Sequence, residues 1–465
     1  MIFDRGVFGM LKANIAKFSF VWAVSVVAVL FTGMGNLSAS DKVVTIWHTE
    51  PNYRTRSAMQ EIISDYEELN PGIRIEQEAI GWSSLLQKLQ AALAAGAPPD
   101  AAHGYTGLVL SLAEVGLLRP LDDVVKSIGE DNVFEVVRRV SISDDGHYYG
   151  LPHCIGADAI VYRKDLYRQS GLDDGVAPKT WDEWLVQLKK LTVDIDGDGT
   201  IDQYGLGLAG EGQFINEEVL MWTGSNGGRM YDPDGRPTFT ERPMIEMLEF
   251  YKKVSDCCLW PGWMNHSYPE TFTMLAQGKV ASIMGWGRGA IEFEKYAPEV
   301  VANGDIGVFD SKPVGPSGTE FMTQLDGEQW MVFKHAKYPD EAIDFLKFFY
   351  QHNNYRRYAQ SVPIHLLPID KTLYEDVAYW QQTPEFDTWR FWVQIQQKFI
   401  AEGNSRPVIE WDDLTLPYLA EVNGSGILID MVSDVITERR TPQEAAERAQ
   451  KLTERLIEDM GYRRW

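Results

Sequence analysis

Hydrophobic positions along this chain switch period repeatedly, from two to between three and four and back, and each switch marks an element. Val43, Val44, Thr45, Ile46 and Trp47 make a first run of strand type. Residues 57–69 follow with helical spacing, Asn70-Pro71-Gly72 turns the chain, and Ile73-Arg74-Ile75-Glu76 alternates as a second strand. Residues 82–95 place Leu85, Leu86, Leu89 and Leu93 along one helix face. Pro98-Pro99-Asp100 leads into a third short element before a helix around residues 108–115. Strands alternating with helices predict βαβ units and a mostly parallel sheet.

A second unit is expected after Tyr149-Gly150-Leu151-Pro152. Ala159, Ile160, Val161 and Tyr162 read as a buried strand that stops at Arg163-Lys164-Asp165, and a short helix then ends at Gly171. Pro178 precedes Thr180-Trp181-Asp182-Glu183, a capping box that opens an amphipathic helix through Trp184, Leu185, Leu188 and Leu191. Further helices are predicted over residues 217–222, 244–254, 268–276 and 340–350, with a strand at 329–333. The last helix starts at Thr441-Pro442-Gln443-Glu444, a second capping box. No repeat of 20–50 residues interrupts this order. The pattern alone gives two α/β domains.

The amino terminus reads differently. Arg5, Lys12 and Lys17 precede an uncharged apolar run from Phe18 to Phe31, and Ser38-Ala39-Ser40 offers a cleavage site, so residues 1–39 are expected to be a signal peptide. The run is shorter than the roughly 20 residues that span a bilayer. Without this leader, which carries +2, the net charge of −24 becomes about −26. That charge argues against nucleic acid or anionic membrane as partners. Roughly 426 remaining residues exceed one ordinary core. Three cysteines, Cys154, Cys257 and Cys258, make no disulfide framework; they read as small buried side chains with one optional bridge to Cys154, since adjacent Cys257 and Cys258 are poor partners.

The stretch GADAIVYRKDLYRQSGLDDGVAPKTWDEWLVQLKKL, residues 156–191, resembles the signature region of the family 1 extracellular solute-binding proteins, the periplasmic receptors of ABC sugar importers. Arg163 stands where that family usually has Asn or Asp. The strand ending in Trp47-His48, the Tyr66-to-Ile73 turn, Pro98-Pro99-Asp100 and the Gly278-Lys279 turn resemble the family too. The resemblance implies a two-lobed periplasmic binding protein fold. Each lobe is a mixed, mostly parallel sheet flanked by helices, and a hinge joins them. It places lobe one at 41–152 plus 310–360 and lobe two at 153–309 plus 361–465, with ligand in the cleft between them. It further implies a periplasmic monomer that delivers a sugar to ABC permease subunits and needs no cofactor.

Sugars present polar edges and apolar C–H faces, so aromatic platforms beside hydrogen-bonding groups suit them. Ligands of open α/β sheets lie beyond the carboxyl ends of strands, which selects Trp47, His48, Tyr105 and Trp286. Trp82 after a strand, Trp222 before a glycine-rich turn, Trp330, and Arg288 in Gly287-Arg288-Gly289 join them, with Glu50 and Asp158 as hydroxyl acceptors. Trp181, Trp184, Trp389 and Trp392, on amphipathic helices, read as core. Asp194, Asp196, Asp198, Thr200 and Asp202 fit the start of a calcium loop whose twelfth position, Gly205, lacks the expected acid; an acidic turn explains them equally.

Two other readings compete with a sugar receptor. A glycerol phosphate or polyamine cargo would use Arg288 or the many carboxylates. A secreted glycoside hydrolase would need a carboxylate pair in an aromatic cleft. No G-x-S-x-G, H-E-x-x-H or P-loop pattern is present.

Overall fold

The computed structural model describes residues 42–462 apart from 144, 212–213, 384, 408–415 and 417, so the leader expected at 1–39 lies outside the described residues. Among those residues no helix is long and apolar enough to cross a membrane. The strands, in chain order, are β1 (Lys42–His48), β2 (Ile73–Ala79), β3 (Ala101–Gly104), β4 (Leu151–Pro152), β5 (Gly156–Ala157), β6 (Ala159–Arg163), β7 (Tyr204–Gly207), β8 (Val280–Gly285), β9 (Ile306–Val308), β10 (Thr323–Asp326), β11 (Gln329–Val332) and β12 (Ser405–Pro407).

Lobe one is built on the sheet β2-β1-β3-β11-β4, in which β1 runs parallel to β2 and β3 while β11 is antiparallel to β3 and β4. Lobe two is built on β7-β8-β6-β9, with β7 parallel to β8 and β6 antiparallel to both neighbours. Every residue of β6 and β8 is buried, the signature of strands covered on both faces. A third small sheet, β12-β10-β5, joins three chain crossings between the lobes.

These crossings shift the expected boundaries. Residues 310–322 attach to lobe two through Lys312–Asp158 and through Ser317, whose N–H donates to Asn226. Residues 361–371 stay with lobe one: Phe134 N–H donates to Ile369 O, Asp370 bridges Val133, and Lys371 reaches Asp131 O at 2.9 Å. The closing helices Ile427–Ile436 and Pro442–Asp459 pack on Arg242–Cys257 of lobe two.

Local chemistry explains the helix starts. Thr180 accepts the Glu183 N–H at 3.2 Å, but the Glu183 carboxylate turns to the Lys179 N–H, so only half of the expected box forms. Thr441 and Glu444 complete theirs, and Ser267 with Glu270 makes a box the pattern did not reveal.

The cysteine expectation is corrected. Cys257 and Cys258 are bonded to each other with Cα atoms 3.7 Å apart, and Cys154 is buried without a bridge. Cys258 leaves the helical conformation at the end of Arg242–Cys257, with φ −138° and ψ −8°, and this bend brings adjacent sulfurs together.

Candidate functional site

Three chain ends meet between the lobes: the loop after β1, the turn after β8, and the segment around Ile364-His365. Their approach depends on Gly287. A Cβ there would lie 2.0 Å from the Ile364 carbonyl oxygen, so only glycine lets the backbones come this close. The close approach delivers Arg288 to His365 and to Glu50, whose carboxylate it meets at 3.1 and 3.4 Å.

From Arg288 a buried polar network runs into lobe one. Glu328 lies 3.8 Å from Arg288, accepts from Thr49 Oγ1 at 2.9 Å, and accepts from His153 Nε2 at 3.1 Å. Tyr358 holds the other ring nitrogen of His153 at 3.0 Å, and His103 stacks on His153 with centroids 4.1 Å apart. His103 Nδ1 accepts the Thr49 N–H, so His103 is neutral with its proton on Nε2. Burial, then the neighbouring positive groups, push His103 and His365 well below the usual histidine range. Burial works against the Glu328 charge, but the His153 hydrogen bond and the charges of His153 and Arg288 prevail and bring its pKa down to about 2.

Beside this network stand three half-buried aromatics of lobe two. Trp286 faces Phe214 with ring centroids 6.3 Å apart and Tyr268 at 5.8 Å. Phe214 and Tyr268 both open helices, Phe214–Ser225 and Tyr268–Ala276. Sequence reasoning missed both; an aromatic in the first turn of a helix was the signal available. It also missed His103, His153, Glu328, His365, Lys312 and Glu218, which are distant in sequence from one another.

The structure places the predicted residues unevenly. Glu50, Arg288 and Trp286 meet at the junction. His48 is buried beside them, accepting the Glu50 N–H on Nδ1 and donating from Nε2 to Gln77 at 3.0 Å. Asp158 is buried against Lys312 at 3.2 Å. Trp47, Trp82 and Tyr105 go elsewhere, to a small cluster with Leu85, Leu89 and Val109. Strand alternation explains it: Val44, Ile46 and His48 take one face of β1, so Trp47 takes the other, under Lys88 at 4.5 Å. Trp222 is core, wedged against Tyr251 at 4.7 Å and Trp184 at 5.5 Å, which corrects its assignment to the ligand. Trp330 is likewise core, edge-on to His103 at 4.0 Å. Trp181, Trp184, Trp389 and Trp392 are core as expected.

In the acidic loop, carboxylate oxygens of Asp194, Asp196 and Asp202 lie within 4.8 Å of one another. They also cap the loop's own backbone: Asp194 accepts from Gly197 and Gly199 at 2.7 and 2.8 Å, and Asp202 from Ile195 at 2.7 Å. Asp198 accepts the Thr200 N–H at 2.7 Å. These turns close the loop by themselves.

Two α/β lobes, joined by three crossings and meeting at a buried polar junction flanked by aromatics, define a cleft-type binding protein. The chain matches the model for bacterial extracellular solute-binding proteins over residues 51–356, and it belongs to that family. Among relatives, a putative ABC transporter periplasmic-binding protein of Escherichia coli, YcjN, is 21% identical over 97% of this chain and 100% of its own. A maltotriose-binding protein of Pyrococcus abyssi is 26% identical over 67% of this chain and 62% of its own. Among solved structures, an ABC transporter solute-binding protein of Thermotoga lettingae bound with α-D-tagatose superposes with a TM-score of 0.74, at 20% identity, covering 90% of this chain and 100% of that one. The maltose/maltodextrin-binding domain of Bdellovibrio bacteriovorus bound to maltotriose gives 0.71 at 22% identity, covering 90% and 100%.

Proposed function

We propose that the protein captures a sugar or oligosaccharide between its lobes in the periplasm and delivers it, as a monomer, to the permease of an ABC importer. The observation that carries this reading is the trio Phe214, Tyr268 and Trp286, half-buried beside the Glu50–Arg288 junction. Flat apolar faces next to fixed charged groups match the two surfaces a pyranose presents. The sugars named for the tagatose-bound and maltotriose-bound neighbours, and for the maltotriose-binding relative, support the same cargo class.

A phosphate cargo fits less well, because Arg288 is already engaged by Glu50 and Glu328. Hydrolysis at the Glu50–Arg288 junction fits less well too: Glu328, held near 2, is a poor general acid, and Glu50 is ion-paired. A structural calcium at Asp194, Asp196 and Asp202 belongs to the same proposal, and a thermal shift with added calcium that Asp196→Asn abolishes is its test. For the receptor itself, intrinsic Trp fluorescence of leaderless protein is titrated with neutral sugars, polyols, polyamines and glycerol phosphate. A saturable response to a sugar without product supports the reading. A response to phosphate or polyamine alone, or appearance of product, overturns it.

A further inference from the structure

A second buried charge cluster lies directly behind the aromatic trio. Glu218 follows Phe214 by four residues, so both occupy one face of helix Phe214–Ser225. Asp158 immediately precedes β6, opposite the end of β8, where its carboxylate faces the N–H groups of Ala159 and of Gly285, the residue before Trp286. Lys312, from the segment after β9, donates to Asp158 Oδ2 at 3.2 Å and to the thioether of Met221, a weak acceptor, at 3.5 Å. Gln324 of β10 completes the group, its carbonyl accepting the Asp158 N–H at 3.2 Å. All four residues are buried, at 2 to 7% exposure.

Three side-chain atoms of this cluster, Asp158 Oδ1, Glu218 Oε2 and Gln324 Oε1, make no well-formed hydrogen bond among the described residues. Leaving buried acceptors unmatched is costly, and native proteins rarely do so without a functional reason. With Glu218 ionised all three are acceptors, so a donor matches them; Tyr251 Oη and Trp222 Nε1, also unmatched, are donors. An ammonium carries three N–H donors for three acceptors. Charge agrees once Glu218 ionises, since two carboxylates then face one lysine. Tyr251 is the remaining titratable neighbour of Glu218, and burial keeps its phenol neutral. Burial, reinforced by the charge of Asp158, raises the Glu218 pKa to about 8, the condition of a carboxyl group short of a cation.

Resting on the sugar-receptor reading, we infer that Asp158, Glu218 and Gln324, arranged around Lys312, form an amine subsite beside the aromatic trio, and that the ligand is a sugar bearing a protonated amino group. The aromatic faces take the ring and the cluster takes the ammonium. Uronates and sugar phosphates fit less well, because Lys312 and Arg288 are already paired with Asp158 and Glu50.

Calorimetric titration with matched probes tests this: glucosamine against glucose, galactosamine against galactose, and the glucosamine disaccharide against cellobiose, with N-acetylglucosamine and glucuronate as controls. One amino sugar should bind at least 10-fold tighter than its hydroxyl partner at pH 7, with both controls weaker. Its binding should release close to one proton, read from buffers of different ionisation enthalpy, as the ammonium drives Glu218 to ionise. Glu218→Gln should abolish both the preference and the proton release; should that variant fold poorly, the proton release of the natural protein carries the test alone. Neutral sugars bound as tightly as their amino partners, or amino-sugar binding without proton release, would overturn the amine subsite and leave the sugar receptor standing. Silence from every sugar overturns both.

Discussion

Arg288, on the turn after β8, meets Glu50, on the loop after β1, at 3.1 Å with both side chains buried. One belongs to lobe two and the other to lobe one, so the pair fastens the lobes across their junction. Removing one member of a buried ion pair strands the other and costs about 3–5 kcal/mol, whereas replacing both by apolar residues is often neutral. Glu50→Ala and Arg288→Ala should each lower Tm and enlarge the radius of gyration in small-angle scattering. Glu50→Leu with Arg288→Met should recover most of the Tm. Losses that simply add would show the two residues acting independently.

Trp286 and Trp222 separate platform from core. Trp286→Ala should weaken ligand binding by 10-fold or more with little change in Tm, since the ring is half-buried on a turn. Trp222→Ala should do the reverse, at a cost of about 3–5 kcal/mol of stability for a buried aromatic. Denaturation curves alongside calorimetric titrations of both variants decide it.

Acid should destabilise the protein in two stages. His103 and His365 are held neutral, with pKa values well below 6.5, so the unfolded chain binds more protons than the native one once pH falls below about 6.5. Stability is therefore present above that pH and lost beneath it. Glu328, lowered from 4.5 to about 2, adds a further loss between those values. Urea midpoints from pH 7 to pH 4 should fall, and His365→Gln should flatten the first stage. A midpoint constant from pH 7 to 5 in a Glu218→Gln background, which removes the opposing effect of that carboxyl, would refute the histidine assignment.

Glu218 should act in the opposite sense. Its pKa rises from 4.5 to about 8, so the native state holds a proton that the unfolded chain has released, and stability falls as pH climbs through that window. Glu218→Gln should therefore gain in stability relative to the natural protein between pH 5 and pH 8. Parallel pH profiles for the two proteins would rule this out.

Much of the fold was legible in the chain because it rests on local periodicity. The alternation in β1, the leucine stripe of the helix Trp82–Ala94 and the capping Thr441 depend on neighbours within a few residues. Lobe boundaries were less legible. Residues 310–322 and 361–371 carry no periodic signal that names their lobe, and single contacts such as Lys312–Asp158 and Phe134–Ile369 decide it.

By itself the sequence determined the class of fold and the burial of the helix tryptophans. Strand alternation and glycine spacing act over short distances, and they leave their mark in residue order. Only the tertiary structure decided that Glu50 pairs with Arg288, that Glu328 joins it to His153, and that Glu218 stands behind Phe214 with Asp158. Those partners lie tens to hundreds of residues apart. What brings them together is the packing of sheets, helices and crossing segments within and between the lobes, and no periodicity along the chain encodes that.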